Sequence, residues 1–371
     1  MNTSRCVGLV AMFVLLLPLA APAQTNAAAL KFYNQGSALM DKDDWDGAIA
    51  AFTQALKADP RLSNAFYNRG VAFHQKKDLD KALADYSEAI KINPGYALAY
   101  GNRALVYHGK RDYAKAQPDY DKALALDPKS VSNLQNRAML AADLKQYDKA
   151  LVDYHAAAKL DAKNPTIYLN RGSVYYFQKE YDKALDDFNQ ALELNPKYAK
   201  AYLHRADTWL AKKEYKSALD DYNESIELDP KDAKAYGQRG QLYYIQIENF
   251  DRALADFAKG LELSPTDLAL RYNRGLAYRK IKQFDKAIAD FDAVLKQDPK
   301  DFQVIQSRGN TWQDLKEYDK AIADYNTVLK LDPKFAPAYY NRGMAYLAKG
   351  DKEKGAADLK EAGRLDFKLA R

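Results

Sequence analysis

Residues 338–346 read AYYNRGMAY, with an asparagine, an arginine and a glycine in a row inside an otherwise apolar helical stretch. The triplet or a close relative also stands at Asn68-Arg69-Gly70, Asn102-Arg103-Ala104, Asn136-Arg137-Ala138, Asn170-Arg171-Gly172 and Asn273-Arg274-Gly275, so it belongs to a repeat. Its arginine recurs every 34 residues from Arg69 to Arg239, falls one residue late at Arg274, and resumes the 34-residue step at Arg308 and Arg342.

With units counted from Ala29, the eighth slot is always Gly or Ala, from Gly36 to Gly343. The twentieth is Ala in eight units, the twenty-fourth is aromatic in eight, and Pro fills the thirty-second at Pro60, Pro94, Pro128, Pro196, Pro230, Pro299 and Pro333. Apolar residues between these markers recur at three and four, as in Tyr168, Gly172 and Tyr175, then Ala184, Phe188 and Ala191. That is helical spacing. Each unit therefore reads as two antiparallel helices, the second opened by an acidic residue such as Asp80 or Asp182 and closed by an Asp-Pro or Asn-Pro step.

The pattern closely resembles the tetratricopeptide repeat (TPR), a 34-residue helix-turn-helix unit. Ten units cover residues 29–371, and the resemblance implies an all-α, right-handed α-α superhelical solenoid, because one unit cannot bury its apolar face alone. Repeat 7 holds one extra residue near Glu248-Asn249, and repeat 10 carries Gly355 where Ala is usual.

Arg fills the seventh slot in nine units and Asp the twenty-third in the same nine, while repeat 1 loses both together, with Gln35 and Ala51. Joint loss points to an ion pair between the two helices of one unit. The sixth slot is polar and uncharged throughout: Asn34, Asn68, Asn102, Asn136, Asn170, Asn273 and Asn341, with His204, Gln238 and Ser307 elsewhere. Asn is a mediocre helix former, so propensity does not explain it. The TPR resemblance puts this slot on the concave groove, where an amide both donates to and accepts from a peptide backbone. Asn68, Asn102, Asn136, Asn170, Asn273 and Asn341, with Tyr67, Tyr176, Tyr244, Tyr272 and Tyr340 beside them, form the candidate peptide-binding set. Asparagines that only bridge neighbouring helices are the alternative reading.

Other chemistries find little support. His74 and His108 share a slot in adjacent units, about 8–10 Å apart if their helices pack normally, whereas two nitrogens on one zinc each lie about 2 Å from it. No metal or cofactor is expected. No nucleophile elbow, zinc-protease, P-loop or dinucleotide fingerprint is present, so a catalytic site is not expected either. The 56 Lys and Arg against 50 Asp and Glu are interleaved along the chain, which argues against nucleic acid.

Residues 1–23 stand apart. Arg5 precedes an uncharged apolar run from Val7 to Ala21, and Ala21-Pro22-Ala23 supplies small residues for cleavage, which reads as a secretory signal peptide. The run has 15 residues, short of the roughly 20 that span a bilayer. After a short extension at 24–28, the mature chain would have no cysteine, Cys6 being the only one. The reading is a periplasmic or secreted TPR scaffold that binds a protein or extended peptide, without membrane insertion after signal cleavage, and able to self-associate through its solenoid ends. A self-assembling structural protein and a glycan-binding repeat are the alternatives.

Overall fold

A computed structural model describes residues 27–366. The expected signal peptide, 1–23, lies outside them. Twenty α-helices run through the described residues, with no strand among them. They pair in order into the ten expected repeats, and each second helix packs on the first helix of the next repeat within two compact units, Met1–Pro196 and Lys197–Arg371.

Local chemistry sets the helix ends. In repeat 2 the first helix is Ser63–Gln75 and the second Leu79–Ile92, and Asp78 caps the second by accepting from the Lys81 N–H. Asn93 ends that helix in an extended conformation that Pro94 cannot continue. Between the helices the chain reverses through one left-handed residue, and the next N–H bonds back over five residues, as Asp78 to the Phe73 carbonyl at 2.9 Å. This slot has positive φ at Asp43, Lys77, Arg111, Lys145, Lys179, Lys213, Lys282, Lys316 and Gly350. Only the last is glycine, although a left-handed conformation costs other residues about 1 kcal/mol or more.

Inside each repeat the small eighth slot receives the ring of the twenty-fourth. A Cβ on Gly172 would lie 2.8 Å from Phe188, whose ring is fully buried. The extra residue of repeat 7 is absorbed as a π-helical turn, Tyr243–Ile247, followed by Glu248 in the left-handed region. Pro118 lies within Tyr113–Leu126, past the first turn, so it removes a helical hydrogen bond that a proline at the helix start would not.

All nine expected ion pairs form within their repeats. Each guanidinium grips its aspartate with two parallel bonds of 2.6–3.0 Å, from Arg69 with Asp85 to Arg342 with Asp358. A third arm reaches back one repeat, from Arg69 to Thr53 at 3.0 Å, Arg103 to Ser87 at 3.1 Å, Arg137 to Asp121 at 2.8 Å and Arg308 to Asp292 at 2.6 Å. Burial lifts the Asp187 carboxyl above its ordinary range against the pull of Arg171, while the bond to Asp187 raises Arg171. The bidentate geometry is that of a charged pair.

Arg171 and Asp187 have no third-arm bond to complicate them, and their side chains are 15% and 7% exposed. Removing either partner alone, as Arg171→Met or Asp187→Leu, should cost about 3–5 kcal/mol by stranding the other charge. The double variant should lose less than the sum, measured by urea unfolding; strict additivity would rule out coupling.

Candidate ligand-binding face

In the first unit the first helices of successive repeats touch one another, so their slots five, six and nine form one continuous face; in the second unit the first helices of repeats 6 and 7 touch, as do those of repeats 8, 9 and 10. The sixth-slot amides on it fall into two groups. Asn68 Nδ2 donates to the Tyr33 hydroxyl at 3.0 Å and Asn102 Nδ2 to the Tyr67 hydroxyl at 2.9 Å, each reaching from slot six to slot five of the preceding repeat. Tyr272 and Ser307 repeat this link at 3.0 Å, and Asn341 Nδ2 donates to Asn310 Oδ1 at 2.9 Å. These side chains join repeats.

The link stops where slot five loses its tyrosine. Repeat 3 has Gly101 there, and the buried Asn133 lies over it: a Cβ at Gly101 would meet Asn133 Oδ1 at 2.3 Å. The following amide, Asn136, is buried with no partner for Oδ1. Gln135 fills slot five in repeat 4, and its Oε1, like Nδ2 of Asn170 in the next repeat, is also buried and unpartnered. Repeats 4 and 5 thus hold hydrogen-bonding capacity that the fold does not use. Asn273 is half-buried.

The tyrosines divide similarly. Tyr67 is 1% exposed, its ring 5.0 Å from Tyr96 and 5.9 Å from Tyr86, which makes it a core residue. Tyr176, Tyr244, Tyr272 and Tyr340 are half-buried. Tyr176 packs at 5.7 Å on Phe177, and Tyr244 lies in the π-helical turn, 5.9 Å from Phe250.

Repeat 6 departs from the pattern in a way the sequence reading missed. Its slots six and nine carry His204 and Asp207, one helical turn apart on Ala199–Ala211. Asp207 accepts from the Tyr222 hydroxyl at 2.7 Å and from Gln238 Nε2 at 3.2 Å, with Lys234 Nζ 3.9 Å away. Burial pushes the Asp207 carboxyl up against these partners. Burial, then Lys234 and Lys200, press His204 down to about 3. The signal was available, since slot nine is uncharged in every repeat except repeat 6.

His74 and His108 do not act together. His108 Nε2 lies 3.0 Å from Asp143 Oδ2 in the next repeat, and His74 Nδ1 is buried without a partner.

Family models described as tetratricopeptide repeat match residues 33–97, 97–130, 165–198, 199–232, 233–267, 269–301 and 336–368, and one described as TPR repeat matches 142–179 and 309–350. Among solved structures, a tetratricopeptide repeat protein from Parabacteroides merdae is similar at 24% identity and TM-score 0.50, over 65% of this chain and 96% of that one. YrrB, described as a TPR protein with an unusual peptide-binding site, is 28% identical with TM-score 0.44, over 49% of this chain and 95% of its own. The pilF protein of Pseudomonas aeruginosa is 23% identical with TM-score 0.49, over 56% and 95% respectively. No curated protein matches the chain.

His204 gives a pH test. Its ordinary value is 6.5 and its folded value is about 3, so the folded state resists a proton that the unfolded chain accepts. Its contribution is complete above 6.5 and is lost as pH falls from there toward 3. His204→Asn installs the residue most common in that slot. Between pH 7 and 5 the unmodified protein should lose about 1–2 kcal/mol more stability than this variant, read from urea midpoints. Parallel pH profiles would mean a solvated imidazole.

Proposed function

Because the chain belongs to the tetratricopeptide repeat family, we propose that it is a scaffold of the cell envelope that holds a protein or extended peptide on the face of its first helices. The family fold generally mediates protein interactions. The observation that carries the finer reading is the row of uncharged polar side chains in slot six, with unpartnered amide atoms at Gln135, Asn136 and Asn170. An amide that has given both ends to the fold has little left for a ligand. One with a free end can complement a peptide group, and the soft χ2 of Asn lets that end turn outward. Asn136 and Asn170 are therefore the centre of the proposed site in the first unit, with Tyr176 supplying a half-buried ring; on the corresponding face of the second unit stand Asn273, Tyr244, Tyr272 and Tyr340, while Asn68, Asn102 and Asn341 join repeats. No residue is assigned a catalytic role. The envelope location rests on the leader-like segment at 1–23.

Two measurements test this reading. Crosslinking in the native envelope, followed by mass spectrometry, should recover a defined protein partner and a chain that begins at Gln24; an uncleaved chain confined to membranes would refute the location. The second measurement uses a peptide selected from a random synthetic library on the unmodified protein. Asn136→Ala with Asn170→Ala should weaken its binding roughly five- to hundredfold, at about 0.5–1.5 kcal/mol per hydrogen bond. Melting should hardly move, because no internal bond is broken and Ala is the better helix former. Asn68→Ala should do the reverse, since it strands the Tyr33 hydroxyl. Unchanged peptide affinity in the double variant would remove the asparagines from the site.

A further inference from the structure

The left-handed turn slot of the first unit carries Lys77, Arg111, Lys145 and Lys179 in four consecutive repeats. Backbone conformation did not select them, because Gly or Asn fits positive φ better. Packing did not select them either, because all four side chains are exposed. Among the described residues none of the four has an ion-pair or side-chain hydrogen-bond partner.

The acidic groups beside these four cations are engaged, whereas repeat 1 exposes Asp41 and, in the turn slot itself, Asp43. Asp78 and Asp112 cap their own helices and pair with Lys81 and Lys115, and Glu180 pairs with Lys183. Asp46 and Asp80 are held by Lys76 and Lys110, Asp148 by Gln178, and Asp143 by His108. Repeats 2 to 5 therefore each present one exposed cation without a partner, while the acids of repeat 4, Asp143 and Asp148, are hydrogen-bonded to His108 and Gln178 rather than to a lysine or arginine. Two large apolar side chains stand open beside the cations: Leu144, 37% exposed, next to Lys145, and Phe177, 39% exposed, two residues before Lys179, its ring stacked on Tyr147.

We propose that this turn edge of the first unit is a peripheral docking surface for an anionic lipid bilayer. Regularly placed free cations meet the headgroup charge, and Leu144 and Phe177 reach the boundary between headgroups and acyl chains. An exposed leucine, and a phenylalanine with one ring face already stacked on Tyr147, suit that boundary better than a nucleic-acid backbone, which is recognised through charge, hydrogen bonds and stacking. No helix among the described residues is long and apolar enough to cross a membrane, so the contact is with the surface. The proposal is independent of what the first-helix face binds.

The test sediments the full chain with vesicles of 70:30 phosphatidylcholine to phosphatidylglycerol, and with phosphatidylcholine alone. Binding should require the anionic lipid and fall with added salt. The variant Lys77→Asn, Arg111→Asn, Lys145→Asn, Lys179→Asn should bind at least about tenfold more weakly. It should melt no lower than the unmodified protein, because Asn accepts the left-handed turn. Leu144→Gln with Phe177→Gln should weaken binding severalfold while leaving its salt dependence in place. Equal binding to neutral vesicles, unchanged binding by the four-asparagine variant, or a preference for a DNA duplex over anionic vesicles in 0.15 M salt would each overturn the proposal.

Discussion

The fork of the seventh-slot arginine is the contact on which the array depends. A guanidinium has five donors in a rigid plane and cannot lose its charge in a protein. Two of those donors fix the second helix of the same repeat through its aspartate, and a third, in several repeats, fixes the preceding repeat through slot twenty-five. One side chain thus sets the register both within a pair of helices and between pairs. Lysine, a compact charge with no planar fork, could not hold all three. The aromatic residue three positions earlier completes the setting: Arg69 lies 5.5 Å from the centre of Phe66 and Arg171 5.4 Å from that of Tyr168. Stacking of this kind leaves the edge of the fork free for hydrogen bonds.

That interaction was legible in the sequence because it obeys the repeat. Arg and Asp are separated by 16 residues in repeats 2 to 6 and by 17 in repeat 7, where the extra residue intervenes, and the pair forms there at 2.7 and 2.9 Å all the same. Helix number, pairing and the small-to-aromatic contact follow from the same periodicity. The period did not reveal how repeat 7 absorbs its insertion, because a π-helical turn and a longer loop have the same sequence length. It also could not show that the turn lysines are left-handed and unpaired, since a string of alternating charges does not say which acids are already taken.

The candidate site was legible only in part, for a related physical reason. Slot six identifies which face an asparagine occupies, but its role depends on slot five of the repeat before it. Behind Tyr33 or Tyr67 the amide becomes a strut, whereas behind Gly101 or Gln135 it keeps an unpartnered end. The relevant spacing is therefore 35 residues rather than 34, and a reading that compares like slots with like passes over it. The titratable pair of slots in repeat 6 was missed because two departures from a pattern carry little weight until the fold brings Tyr222, Lys234 and Gln238 around Asp207.

The buried rings of slot twenty-four connect the core to the first-helix face. Where slot nine is apolar, as at Val71 and Leu105, the hydroxyls of Tyr86 and Tyr120 are buried without partners. Where slot nine is polar, the same hydroxyl is used: Tyr222 donates to Asp207, and the single proton of the Tyr325 hydroxyl is shared between Asn310 Oδ1 at 2.8 Å and Gln313 Oε1 at 2.9 Å. An unpartnered buried hydroxyl costs about 1–3 kcal/mol, so tyrosine in the first case weakens its repeat and in the second anchors a polar group of the face. A polar residue in slot nine can therefore be held in place from beneath as well as by its neighbours along the face. Repeats 6 and 9 have that support, and repeats 2 and 3 carry the hydroxyl without a face residue to hold. The core of each repeat thus sets how firmly its part of the face is held, and the faces of two repeats with the same backbone can differ in rigidity through a single ring substituent.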